Sequence, residues 1–468
     1  MPTLEWIGKS KVINHHQEVP FRVLERKYSF DENGQHDEDN GSENMIIRGD
    51  NLEALKALLP QYEGRIKCIY IDPPYNTGNE GWVYNDNVND PKIKKWLGEV
   101  VGKEGEDLTR HDKWLCMMYP RLKLLQKLLA NDGIIFISID DTECSNLILI
   151  CNEIFGASNF VANVSWQRTY SPRNDSKGIV SEVEHLVVFS KNPGWQPNKL
   201  PRTEAMDSRY KNPDNDVAPW KSSDAFAPGA ATHQGMVYAI QHPFTGEMLY
   251  PSNGRCWRYQ QSSMLEYMQG WCNYRLENLH DEKERARVCG IDESAVRKDV
   301  LAIVLEEPLE VSAAKAQKVY NRGRWPGFYF TKGGYGGIAR KTYLENVGGR
   351  LPTNLWMYEE TGHTDEAKKE LISLFGGRSP FDTPKPTRLL DFVLKVAGTS
   401  ETLMLDSFAG SGTTAHAVLN ANKADNGNRH FILIEMMDYA DSITAERVKR
   451  VIKGYGEGKN AVDGTGGN

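Results

Sequence analysis

Cysteine, long apolar runs and charge of one sign are all in short supply here, and each shortage closes off a class of protein. The seven cysteines, at 68, 116, 144, 151, 256, 272 and 289, are odd in number, and none stands in a Cys-x-x-Cys pair. A disulfide framework and a metal site are therefore not expected, and the thiols point to a reducing compartment. No apolar run approaches the ~20 residues that cross a bilayer, so no membrane partner is expected. The opening MPTLEWIGKS carries Glu5 and no apolar stretch, so a signal peptide is not expected and the location is read as cytoplasmic. Lys and Arg number 56 against 63 Asp and Glu, a net charge of −7. That mild acidity names no nucleic-acid partner, so one must be argued from local charge. What is present, 40 % apolar and 25 % charged residues over 468 positions, describes a globular chain. At ~150 residues per domain, two or three domains are expected.

Residues 1–43 read as an N-terminal arm, with a solvated loop from Asp31 to Gly41 and order beginning at Met45. Asp50 can cap a helix carrying Leu52, Leu55, Leu58 and Leu59 and ending at Pro60. Ile66–Ile71 predicts a buried strand running into Asp72-Pro73-Pro74-Tyr75. A long polar stretch with Trp82, Tyr84 and Trp96 follows, of the kind that forms lids. Leu115, Met118, Leu122, Leu125 and Leu129 keep helical spacing, with Pro120 predicting a kink. Further strands are predicted at 133–140, 184–190, 402–406 and 430–435, and a last helix near 438–453. Strands alternating with helices imply a mostly parallel sheet covered on both faces. Between 196 and 360 the texture turns irregular and aromatic, with one helical region near 281–320. It reads as an insert dividing 44–195 from 361–455. The Gly-rich tail, 456–468, is expected to be mobile.

Two clusters carry chemistry. Asp406-Ser-Phe408-Ala-Gly410-Ser411-Gly412-Thr413-Thr414 places a glycine turn between a strand and a helix N-terminus. Glycines let a backbone approach a ligand closely, and helix N-termini offer N–H groups. No Gly-Lys-Ser/Thr follows and the third dinucleotide-motif glycine is missing, so neither a phosphate loop nor a dinucleotide fingerprint is present. A nucleoside-type ligand and a tight structural turn both fit. Glu435 ends the next strand, where doubly wound folds place an acid that accepts from both ribose hydroxyls.

Asp72-Pro73-Pro74-Tyr75 is the more specific element. The amino group on a nucleobase is a poor nucleophile because its lone pair is delocalised. A carboxylate and an adjacent carbonyl can each accept one of its N–H bonds, favouring a pyramidal nitrogen with the lone pair aimed outward. A charged acceptor contributes roughly 1.5–3 kcal/mol per bond. Prolines hold the carbonyl and leave no competing N–H. The aromatic ring can stack on a base swung out of a duplex.

With Asn76-Thr-Gly78 after the first cluster and Phe408-Ala-Gly-Ser-Gly412 near the end, the chain resembles the beta-class amino-methyltransferases that use S-adenosylmethionine. Among these it is similar to the adenine-specific modification subunits of type III restriction–modification systems. The likeness extends to Gly49–Leu52, the lid Asn79–Tyr84, Trp114–Leu129, Phe136–Asp141, Glu184–Lys191 and Thr383–Leu389. It implies an α/β doubly wound domain of permuted motif order with an inserted α+β target-recognition domain. It also implies methyl transfer to adenine N6 in double-stranded DNA by base flipping, in a bacterial or phage-type setting. Asp72 and the Pro73 carbonyl would orient the amine, with Pro74 bracing them, and Tyr75 would stack on the base. Asp406, Phe408, Gly410, Ser411, Gly412, Thr413 and Glu435 would line the cofactor. Asp50 would contact its adenine or merely cap a helix, and Lys385 and Thr387 would reach its carboxylate. A homodimer and a separate restriction (helicase/nuclease) subunit are the partners it suggests.

DNA contact is expected from residues 313–350, where eight basic residues face one acid, Glu345. Lys315, Lys318, Arg322, Arg324, Lys332 and Arg340 would meet phosphates. The interleaved Tyr320, Trp325, Phe328, Tyr329, Phe330 and Tyr335 would stack on or wedge between bases. Ring-carbon methylation of cytosine is excluded, since no Pro-Cys pair occurs. N4-cytosine methylation, an RNA or peptide-amide substrate, and a catalytically silent DNA-binding subunit remain the alternatives.

Overall fold

Along Ile66–Ile71, Cys68 and Tyr70 join one apolar core while Ile69 and Ile71 join another, and all four are buried. A strand buried on both faces belongs inside a sheet covered by helices on each side. The computed structural model, which describes residues 3–77, 95, 98–100, 110–171, 178–458 and 461–467, has that arrangement. Its central strands, in chain order, are β1 (Met45–Arg48), β2 (Ile66–Ile71), β3 (Leu129–Ile139), β4 (Phe160–Gln167), β5 (Val183–Ser190), β6 (Leu355–Trp356), β7 (Leu403–Asp406) and β8 (His430–Glu435). They lie side by side as β6-β4-β5-β3-β2-β7-β8-β1. The five from β3 to β1 run parallel, and β5 is antiparallel to both its neighbours.

Helices α1 (Asn51–Tyr62), α2 (Arg110–Leu128) and α3 (Cys144–Phe155) cover one face. Helices α4 (Thr364–Leu374), α5 (Thr387–Ala397), α6 (Thr413–Asp425) and α7 (Glu446–Lys453) cover the other. This is an α/β doubly wound sheet. The chain divides into two compact units, Met1–Leu200 with Leu351–Asn468, and Pro201–Arg350.

The second unit holds a three-stranded sheet (Phe328–Phe330, Ile338–Tyr343, Trp220–Asp224) and a four-stranded one around Ala302–Leu305. The helical region expected near 281–320 is two helices, Glu282–Cys289 and Leu309–Arg322, with the strand Ala302–Leu305 between them.

Several local expectations are corrected. Order begins well before Met45: Lys9–Val12 and His15–Glu18 form short helices, and Val12 and Val19 are buried in the core shared with α2. The polar loop after Asp31 contains a small hairpin, Ser29–Asp31 with Gly34–His36, whose turn is held by the Asp31 carboxylate. Helix α1 runs past Pro60 to Tyr62, and α2 continues through Pro120. The Gly-rich end folds back, with Gly454–Tyr455 pairing Val462–Asp463 and Thr465 donating to the Val451 carbonyl at 2.9 Å. The expected lid, Asn79–Tyr84 with Trp96, lies outside the described residues.

Candidate active site

Four parallel neighbours deliver an acid at the same edge of the sheet. β1 is followed by Gly49 and Asp50, β2 by Asp72, β7 ends on Asp406 and β8 on Glu435. Strand carboxyl ends at a switch in strand order are where open α/β sheets bind ligands. The switch falls at β2, whose chain continues to β3 on one side while β7 arrives on the other. A cleft opens there, lined from the first cluster by Asp72 and Pro74 and from the second by Ser407, Phe408 and Glu435. Segments from opposite ends of the chain thus share one cavity.

Asp72, its side chain 14 % exposed, accepts from Lys385 Nζ at 2.8 Å on each carboxylate oxygen. The Tyr75 hydroxyl lies 3.0 Å from both Asp72 Oδ1 and Glu184 Oε2, its single proton serving one of them at a time, and Lys385 donates to the Tyr75 oxygen at 2.8 Å. Glu184 is also paired with Arg168 at 3.0 Å. The Pro74 carbonyl accepts from Trp114 Nε1 at 2.7 Å, fixing the proline turn to α2. Asn76 holds φ at 62°, with its side chain tied to the buried Glu143. Burial pushes the Asp72 carboxyl up, against the pull of Lys385. Burial pulls the Lys385 ammonium down, but the carboxylates of Asp72 and Glu184 outweigh it and carry it above the usual lysine value.

Gly410 and Gly412 have φ of 52° and 80°, and a Cβ at Gly412 would stand 3.0 Å from the Thr444 carbonyl oxygen. Only glycine makes this turn without strain. Asp406 accepts from the Phe408 N–H (3.0 Å) and the Thr414 hydroxyl (2.6 Å), bracing the turn from below. Burial, with Asp72 and Glu435 nearby, pushes its carboxyl up to about 7. Glu435 accepts from the Gly410 N–H at 2.8 Å and the Met437 N–H at 2.9 Å. Burial nevertheless raises its pKa. Ser411 and Thr413 each receive Arg447 Nη1, at 3.0 and 2.9 Å.

Asp50 caps α1, accepting from the Leu52 and Glu53 N–H groups. It also lies 3.6 Å from Arg121. Lys385 is on Asp72. Thr387 joins a buried cluster with Glu370 (2.6 Å) and Arg447 (3.0 Å). In the second unit, Lys315, Lys318 and Arg322 share one face of their helix by their three- and four-residue spacing. Lys318, Arg322, Arg324 and Lys332 are exposed, Arg340 is half-buried, and Lys315 is paired with Glu307 at 2.5 Å.

The aromatic reading is corrected: Phe328, Tyr329 and Phe330 are buried in the unit's core, and Trp325 stacks on Tyr320 with ring centres 4.8 Å apart. Tyr335 alone of the six is largely exposed, at 63 %. Lys341 is buried between Asp214 and Asp216 and carries no free charge to a surface.

Sequence reasoning overlooks Glu184, Arg168, Arg447, Asn51, Arg121 and Ser407. Asn51 donates to the Ser407 carbonyl and accepts from Arg121, tying α1 and α2 to the glycine turn. Ser407 Oγ, buried in the cleft, has no hydrogen-bond partner among the described residues. An orphaned buried hydroxyl is costly unless a ligand meets it. The neighbouring carboxylates Asp406 and Glu435, both raised first by burial, likewise suit a ligand bearing positive charge. Only Glu184 had a marker in the sequence, an acid opening an otherwise apolar strand.

A doubly wound sheet with both motifs at one switch point is an architecture that receives a ligand at the carboxyl ends of its strands. The chain belongs to the DNA methylase (N6/N4 methyltransferase) family, which it matches over residues 66–446. It is similar to the Mod subunit of the type III restriction-modification enzyme StyLTI of Salmonella typhimurium, 32 % identical over 440 residues, covering 88 % of this chain and 58 % of that one. Similarity extends to the EcoPI Mod subunit of Escherichia phage P1, 30 % identical, covering 92 % and 63 %. It extends also to the type II methyltransferase M.KpnI of Klebsiella pneumoniae, 28 % identical, covering 85 % and 81 %. The chain thus spans less than two thirds of the length of the first two relatives. No helix among the described residues is long and apolar enough to cross a membrane.

Proposed function

We propose that this chain is an S-adenosylmethionine-dependent DNA methyltransferase acting on the N6 amino group of adenine in double-stranded DNA. One observation carries the reading: in a member of the DNA methylase family, Asp72 and the glycine-turn residues Ser407 and Phe408 line the same cleft as Glu435. The cofactor fits the residues present. Gly410 and Gly412 let the turn come close, Glu435 suits ribose hydroxyls, Ser407 offers an unmet hydroxyl, and the acids suit a sulfonium.

When bound, S-adenosylmethionine supplies an activated methyl group on a neutral leaving group. The protein's part is position. Asp72 and the Pro73 carbonyl accept the two N–H bonds of the target amine and turn its lone pair outward. The Tyr75 ring receives the flipped base, offsetting part of the few kcal/mol of unstacking. Lys318, Arg322, Arg324 and Lys332 offer charge to phosphates. The Mod-subunit relatives support a restriction–modification setting with a separate restriction subunit as partner, and a homodimer is the further partner that the resemblance suggests.

Transfer of labelled methyl groups from S-adenosylmethionine to duplex DNA, followed by mass analysis of the digested nucleosides, tests this reading. N6-methyladenine is the expected product; N4-methylcytosine, or labelled RNA or protein in place of DNA, would replace it. Asp72→Ala should lower the rate by at least about 10²-fold while cofactor affinity changes little, because it removes an acceptor of the amine rather than a wall of the ribose site.

A further inference from the structure

The ammonium of Lys385 occupies both carboxylate oxygens of Asp72 and the hydroxyl of Tyr75, the two groups that the proposed reaction needs for the target base. Its charge also sits 5.0 Å over the Tyr75 ring. Lys385 Nζ therefore stands where an amine would stand, with N–H groups directed at the same acceptors. A second amine cannot take that place beside Asp72 until this one moves aside.

The structure also holds the place to which it can yield. Glu184 Oε2 is 3.6 Å from Lys385 Nζ, outside direct hydrogen-bond distance, and is already joined to Tyr75 at 3.0 Å. Glu184 is 7 % exposed and held from its other oxygen by Arg168 at 3.0 Å. Asp72, Glu184, Lys385 and Arg168 form a cluster of two negative and two positive charges. An ammonium leaving Asp72 for water would abandon a buried carboxylate, whereas a swing toward Glu184, whose Oε2 is 3.6 Å away, keeps the ammonium beside a carboxylate throughout.

We propose, building on the methyltransferase reading, that Glu184 is a positioning residue for base capture. It takes the Lys385 ammonium when the flipped base enters, leaving Asp72 ionised with its oxygens open to the amine. Lys385 is thus a placeholder that keeps Asp72 charged and Tyr75 oriented between turnovers. No bond is made or broken in this exchange; one ion pair replaces another.

The test compares the wild-type chain, Glu184→Gln, Lys385→Met and the double variant in steady-state methylation of duplex DNA. Cofactor affinity is measured by calorimetry alongside. Flipping is followed by the fluorescence of 2-aminopurine placed at the adenine that the wild-type chain methylates. With Glu184 neutral, Lys385 stays on Asp72. KM for DNA should rise about tenfold, the factor of one charge-assisted hydrogen bond, and flipping fluorescence should fall. Cofactor affinity and the melting temperature should stay near wild type. Removing Lys385 in the Glu184→Gln background should recover much of the loss in KM, a coupling that a merely structural glutamate would not show. If Glu184→Gln leaves KM and flipping unchanged, weakens cofactor binding as much as DNA capture, or adds its loss to that of Lys385→Met, the exchange is wrong and the methyltransferase reading stands. If the wild-type chain transfers no methyl to DNA, both fall together.

Discussion

Asp406 shows how a residue's chemistry depends on where its strand ends. In the sequence it is one acid before a glycine turn. In the fold it is buried, beside Asp72 and Glu435, with its carboxyl pushed up to about 7. The unfolded chain gives up this proton near pH 4, the folded chain only near 7, so the folded state binds the extra proton between those values. Stability from this group is thus present at low pH and is lost as pH climbs through that window. Asp406→Asn cannot titrate. The advantage of wild type over this variant in thermal unfolding should shrink from pH 5 to pH 7, by about 1.4 kcal/mol per pH unit, and level off above. A gap that widens with pH would show that Asp406 is charged in the fold. Lys385 teaches the same lesson: the resemblance assigns it to a cofactor carboxylate, yet its ammonium lies on Asp72.

At the scale of elements, α7 does more than cover the sheet. Arg447 is fully buried and joins Ser411 and Thr413 at the glycine turn to Thr387 at the start of α5 and Glu370 on α4. Arg447→Met leaves those acceptors without their cation. It should cost about 3–5 kcal/mol of stability by chemical denaturation. It should also weaken S-adenosylmethionine binding in calorimetry, because the turn loses its anchor. A variant of normal stability and affinity would show the network to be dispensable. The strands that carry the site were legible because their residues are apolar on both faces, and the glycine turn because only glycine makes it. The short helices before Met45 were not, since four-residue helices have no periodicity to read and are held by Val12 and Val19 finding a core. Nor was the tail's return, which rests on backbone pairing of Gly454–Tyr455 with Val462–Asp463.

For the whole molecule, the cofactor cleft is built from the unit spanning both chain ends, while the exposed basic residues belong to the unit Pro201–Arg350. Their effects should separate. Replacing Lys318, Arg322 and Lys332 together by Ala should weaken DNA binding and lower the slope of log affinity against log salt by up to about 3, near 0.9 for each lost phosphate contact. Cofactor affinity should not change. An unaltered slope in fluorescence anisotropy titrations would place the DNA contacts elsewhere.

By itself the sequence determined the alternation of strand and helix, the acids and glycines at strand ends, and the Asp-Pro-Pro-Tyr turn, because these depend on local residue type and spacing. Tertiary structure alone decided which charges meet. Lys385 on Asp72, Glu184 waiting behind Tyr75, Arg447 under the glycine turn, and the burial of Phe328–Phe330 and Lys341 are contacts between residues distant in the chain or inside a core. Such neighbours exist only once β2 and β7 lie side by side and the aromatic unit has closed on itself, since no spacing along a chain records a distance through space.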